Sequence, residues 1–250
     1  MELLKISAVS YLNTYPFVYG LRESGILKDF ILDLDVPSVC AAKLAGGMAD
    51  IALVPAGALP QFKDYYIQIP YCIGAVGEVK TVLLLSRVPL DGIREVHLDF
   101  DSRTSVELVK VLAMHHWKIT PRWTGLNAGE AENAKGLESL VAIGDKTFKL
   151  RRNYPFVYDL AKEWIDFTGL PFVFALWVSA RELPAALAKD VSDALAFGVS
   201  HIRESLDYFR DQLPAGIDCL EYLEKNISFE LDADKRRGLE LFLNYLGNRP

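Results

Sequence analysis

Histidine and cysteine are scarce in this chain of 250 residues, and neither is spaced for metal chemistry. Cys40, Cys72 and Cys219 are odd in number and far apart, which excludes a disulfide framework and a zinc pattern. They read as buried free thiols suited to a reducing compartment. His97, His115, His116 and His201 form no HExxH or i, i+4 pair. Asp99 and Asp101 lack matching third and fourth ligands, so no metal site is expected. Positive charge is also short. Lys and Arg total 27 against 33 Asp and Glu, a net charge of −6, which argues against nucleic acid or an anionic membrane as partner. No apolar run approaches the roughly 18 residues of a membrane span. The start, MELLKISAVSYLN, carries one basic residue and no signal-peptide core, so a cytoplasmic location is expected. The stretch Gly74-Ala75-Val76-Gly77 has neither the dinucleotide fingerprint nor a P-loop lysine. No cofactor is expected.

The chain is 51% hydrophobic and 24% charged, enough to bury a substantial core. Leu3 to Val9, Phe30 to Leu34 and Asp50 to Val54 read as strands, separated by helices opening at Pro16 and Pro37. That alternation implies an α/β fold with a parallel sheet covered on both faces. A second block follows. TVLLLS ending at Ser86, Val96 to Asp99, Leu140 to Ile143 and Phe172 to Val178 read as strands. Ser105 to Trp117 and Tyr158 to Phe167 read as helices, and from Pro184 onward the pattern is helical. Two blocks and a helical tail predict two lobes around a ligand cleft. Lobe 1 is discontinuous, residues 1–86 with 178–250, and lobe 2 is 87–177. The crossovers are expected near Ser86 to Leu90 and Phe172 to Ser179.

Ligands of open parallel sheets sit beyond the carboxyl ends of strands. Ser10, Tyr11 and Asn13 follow the first strand and offer hydroxyls and an amide, though the same residue types also cap helices. Before the Ser105 helix, Ser102, Arg103, Thr104 and Ser105 combine free backbone N–H groups, hydroxyls and a cation. They suit an anion, or ordinary capping. Ser86 closes its strand without the GxSxG turn or histidine partner of a nucleophile, and reads as a hydrogen-bonding group. Gly144-Asp145 ends another strand. No catalytic dyad with a charged base is evident.

Several blocks occur in order: SYLNTYPFVYGL, ADIALVPAGAL, GEVKTVLLLS, LDFDSRTSVELVKVL, AIGD and TGLPFVFALW. Together, from about residue 7 to 179, they resemble chorismate dehydratase of the futalosine route to menaquinone. The resemblance implies a two-lobed fold of periplasmic-binding-protein type II and cofactor-free loss of water from chorismate to give 3-[(1-carboxyvinyl)oxy]benzoate. It also implies that Asn13 and Ser86 engage the substrate, with the Thr104-Ser105 helix start as an anion cradle beside Ser10, Tyr11 and Arg103. The base is either a substrate carboxylate or Asp145. The chain departs from the family pattern at Thr81, where serine is expected, at Ala161, where glycine is expected, and at Lys146-Thr147-Phe148. Three alternatives share the fold. The sister 1,4-dihydroxy-6-naphthoate synthase has a histidine in the first strand loop, absent here. A non-catalytic solute-binding protein needs an export signal, and a regulator's effector domain needs a DNA-binding segment.

Overall fold

The structure is a computed structural model that describes residues 3–99, 103–126 and 136–247. Asp101, Ser102 and most of the polar loop after Leu126 lie outside the described residues. The chain begins β1 (Leu4–Val9), α1 (Tyr15–Glu23), β2 (Phe30–Asp35), α2 (Pro37–Ala45), β3 (Ile51–Pro55) and β4 (Tyr71–Ala75). It continues through β5 (Val82–Ser86), β6 (Glu95–Asp99), α3 (Arg103–Val111), β7 (Arg122–Leu126), β8 (Ser139–Ile143), α4 (Thr147–Leu150), β9 (Phe156–Asp159) and α5 (Leu160–Thr168). It ends with β10 (Phe172–Ser179), α6 (Ala185–Ser200), α7 (Ile202–Tyr208), α8 (Cys219–Glu221), β11 (Ser228–Glu230) and α9 (Ala233–Gly247). A π-helical turn over Leu112–Trp117 extends α3, and another over Tyr222–Asn226 extends α8.

Two separate sheets result, ordered β11-β4-β10-β3-β1-β2 and β7-β6-β8-β5-β9. The first takes strands from both ends of the chain, the second from the middle. In the first, β1 runs parallel to β2 and β3, as the alternating pattern implied, while β10 inserts antiparallel between β3 and β4. In the second, β6 is parallel to β7 and β8, and β5 is antiparallel to both β8 and β9.

Both crossovers fall earlier than expected. β5 pairs only within the second sheet, so the chain passes over between Ala75 and Val82, not after Ser86. β10 belongs wholly to the first sheet, so the return lies before Phe172. The apolar run of β5 is that of a strand buried on both faces. Leu83 and Leu85 pack with Leu140 and Ala142 in a small cluster, while Val82 and Leu84 face the main core with Val141 and Ile143. Each such leucine, fully buried, stabilises the fold by about 1.5–3 kcal/mol relative to exposure. The segment read as a helix from Tyr158 splits. Phe156–Asp159 is strand, and the Asp159 carboxylate then caps α5 by accepting the Ala161 and Lys162 N–H groups at 3.1 and 3.2 Å. Among the described residues no helix is long and apolar enough to cross a membrane.

Candidate functional site

A small cleft opens between the two sheets. From the first sheet it receives the residues after β1, with Pro55 and Phe174; from the second, the crossover residue Thr81, Val82, Ile143 and Gly144. Asn13, Thr14, Thr81, Ser105 and the Tyr11 ring supply its polar side chains, and the remainder is mostly aliphatic. Among the described lining residues there is no carboxylate, imidazole, ammonium or guanidinium. All three cysteines are buried free thiols away from this lining, and burial pushes Cys72 up to about 12.

The expected residues divide. Asn13, Tyr11 and Ser105 line the cleft. Ser10 is exposed and outside the lining, and its backbone N–H donates to Asp35 O at 3.0 Å. Arg103 is exposed and borders a separate hollow beside Ser38 and Gln61. Thr104 is buried, and both roles of its hydroxyl are taken. It donates to Phe174 O at 2.9 Å and accepts the Gly57 N–H at 3.0 Å, which ties α3 to the first sheet. Ser86 sits at the wrong end of its strand. Because β5 is antiparallel to β8, Val82 lies opposite Ile143 at the cleft, while Ser86 pairs with Ser139 at the far edge. There its hydroxyl donates to Val88 O at 2.7 Å and accepts from Val88 N–H and the Ser139 hydroxyl.

Thr81, at the near end of the same strand, occupies the place expected for Ser86. Its backbone is set by the Asp159 carboxylate, which accepts the neighbouring Lys80 N–H at 2.7 Å while Lys80 holds a left-handed φ of 64°. The Thr81 hydroxyl lies 2.8 Å from the phenol oxygen of Tyr222. Sequence reasoning missed Tyr222. It comes from the helical tail, and only tertiary packing brings it under the cleft, edge-on to Phe148 at 5.7 Å.

Asp145 follows Gly144, just outside the lining. Its carboxylate accepts the Leu12 N–H, joining the β8 loop to the turn after β1, and its charge also acts on Tyr15, Cys219 and Tyr222. Gly144 makes the same joint possible. It adopts φ 69°, and a Cβ there would meet the Tyr11 ring at 3.5 Å. Beyond it, Lys146 forms an ion pair with the buried Asp99 at the end of β6. The lysine that departs from the family pattern thus counters a carboxylate at the foot of α3, whose N-terminal N–H groups favour negative charge in the cleft.

Burial raises the Asp145 pKa above the usual aspartate range, and the Leu12 N–H only partly opposes this. Between the ordinary and the raised value the folded state therefore holds the proton more tightly than the unfolded one. Stability falls as pH rises through that window and stays reduced above it. Asp145→Asn keeps an acceptor for Leu12 and removes the cost. Its melting temperature should exceed that of the parent at neutral pH, and the gain should shrink as pH falls into the ordinary aspartate range. Thermal denaturation of both proteins across that range checks it, and a pH-independent difference would contradict it.

The chain is 27% identical over 257 residues to chorismate dehydratase of Thermus thermophilus, covering 95% of this chain and 93% of that relative. It is 25% identical over 203 residues to 1,4-dihydroxy-6-naphtoate synthase of the same organism, covering 78% and 73%. In fold it is similar to the periplasmic aliphatic sulphonate binding protein SsuA of Escherichia coli, with a TM-score of 0.64 and 16% identity over 98% of this chain and 87% of that one. The architecture is thus of the periplasmic-binding-protein type. The family model described as menaquinone biosynthesis matches residues 4–248, and the chain belongs to that family.

Proposed function

We propose that this chain is a hydro-lyase that removes water from chorismate, giving 3-[(1-carboxyvinyl)oxy]benzoate for menaquinone biosynthesis in the cytoplasm. The observation that carries the reading is the character of the cleft, which is small, largely apolar and furnished with neutral hydrogen-bonding side chains and a helix N-terminus. Chorismate brings what such a cleft lacks. It is a dianion carrying its own carboxylates, and elimination of the C3 hydrogen with the C4 hydroxyl makes an aromatic ring. Aromatisation supplies driving force. The protein's part is to orient the ring, hold the carboxylates and exclude water, which is positional and electrostatic catalysis.

On this reading a substrate carboxylate takes the C3 proton, and Asp145 fastens the two sides of the cleft. The Thermus thermophilus chorismate dehydratase, matched over nearly the whole chain, supports the reaction class, and the naphtoate synthase is matched over less of it. Residues 3–75 with 172–247 form one lobe and the described residues within 82–159 the other, with the segments between them as the hinge. The residues present supply the polarising groups themselves, so the reaction should need no metal. Protein dialysed against a strong chelator should turn over chorismate at the untreated rate, followed by chromatography of the product. Loss of turnover that a divalent ion restores would refute this mechanism.

A further inference from the structure

We propose that Asp159 is a positioning residue for the reaction: its carboxylate joins the two segments that link the lobes and holds Lys80 in the left-handed turn that places Thr81 at the cleft. Asp159 stands at the end of β9, where the chain leaves the second sheet on its way to β10. The other link, between Ala75 and Val82, arrives beside it, because Leu83 of β5 pairs with Asp159. One oxygen serves each segment. Oδ2 accepts the Lys80 N–H at 2.7 Å, and Oδ1 accepts the Ala161 and Lys162 N–H groups that open α5, at 3.1 and 3.2 Å. A neutral amide has one accepting end and one donating end, so it could not serve both segments in this way.

The bond to Lys80 has a conformational consequence. At φ 64° Lys80 is in the left-handed region, where Cβ crowds the following carbonyl oxygen and which glycine enters without that cost. Lysine has no short polar side chain to bond its own backbone there. The charge-assisted bond from its N–H to Asp159 offsets the strain. The same peptide sets Thr81. With Lys80 so turned, the Thr81 carbonyl accepts the Gly144 N–H at 2.9 Å, and the Thr81 hydroxyl lies beside Tyr222. Thr81 and Gly144 both line the cleft. A Lys80 that relaxed to negative φ would redirect the chain into β5 and move Thr81 from this place. That the move costs turnover rests on the reaction proposed above. The hold on Lys80 does not.

Two measurements test the proposal. Asp159→Asn leaves a residue that caps helices well but turns a donor toward the Lys80 N–H. In steady-state turnover of chorismate it should lower kcat about 10-fold. In a Lys80→Gly background, where the left-handed turn is free of the Cβ clash, the same change should alter kcat by less than about threefold. In a Lys80→Ala background, which removes the same ammonium but keeps Cβ, the loss of about 10-fold should persist. A loss confined to the α5 cap would cost the same factor in all three backgrounds, and that result overturns the proposal. Independently of turnover, the Lys80 amide in the 1H–15N spectrum of the ligand-free protein should be protected from exchange. In Asp159→Asn it should exchange about 10-fold faster or more, while the amides of β3 keep their protection and show that the fold is intact. A Lys80 amide that does not respond overturns the proposal. If the parent protein itself leaves chorismate unchanged, the functional reading fails and exchange alone decides whether Asp159 holds Lys80.

Discussion

Asn13→Ala should lower kcat for chorismate on the order of 100-fold, because misplacing a bound substrate by about 1 Å costs that much. Asn13 lines the cleft, and its side-chain oxygen accepts the Thr14 hydroxyl at 3.2 Å. Removing it deletes a hydrogen-bonding amide at the cleft wall. The fold should survive, since Asn13 is only partly buried and a lost hydrogen bond costs about 1 kcal/mol. Steady-state kinetics beside a melting curve separates the two effects. A kcat within about threefold of the parent would remove Asn13 from the catalytic apparatus.

Gly57→Ala should damage stability and turnover together. Gly57 follows β3, where α3 crosses it. A Cβ at this position would lie 2.8 Å from Thr104 Cα and 3.2 Å from the Arg103 carbonyl carbon. Both neighbours are backbone, so no side chain can swing aside, and α3 itself must move. Such overpacking costs typically 1–3 kcal/mol, which at this size lowers the melting temperature by about 2–4 °C per kcal/mol. The same shift disturbs the Gly57–Thr104–Phe174 hydrogen bonds and displaces Ser105 at the cleft wall. Turnover should therefore fall by about 10- to 100-fold even at temperatures where the variant is folded. Parent-like melting and kinetics would show that α3 is not held at this contact.

The sequence disclosed elements where one physical cause dominates. β3, β5 and β10 are apolar runs because each is buried on both faces, and α1 and α2 open at prolines whose fixed φ suits a first turn. Strands without that signature were not legible. β4 contains Gly74, whose missing side chain lets the Phe172 carbonyl and Lys235 approach, and β11 is only three residues long. Neither carries a run or a period of its own.

The site was legible to the same degree. Asn13, Tyr11 and Ser105 were found because they follow a strand or open a helix, positions that face a cleft in any parallel sheet. The same rule misplaced Ser86. It assumes that all strands point the same way, whereas β5 is reversed, so its beginning at Thr81 reaches the cleft. Arg103 and Thr104 were grouped with Ser105 by adjacency, but helical geometry turns successive residues to different sides. Tyr222 left no signal, because its place beside Thr81 depends on where the tail packs.

The most direct test of the account is mass spectrometry of the product formed from chorismate carrying deuterium at C3. Elimination of the C3 hydrogen with the C4 hydroxyl predicts a product lighter by one HDO and free of label, released without added metal or cofactor. Chorismate that is bound but recovered unchanged, or a product that keeps the deuterium, would contradict it.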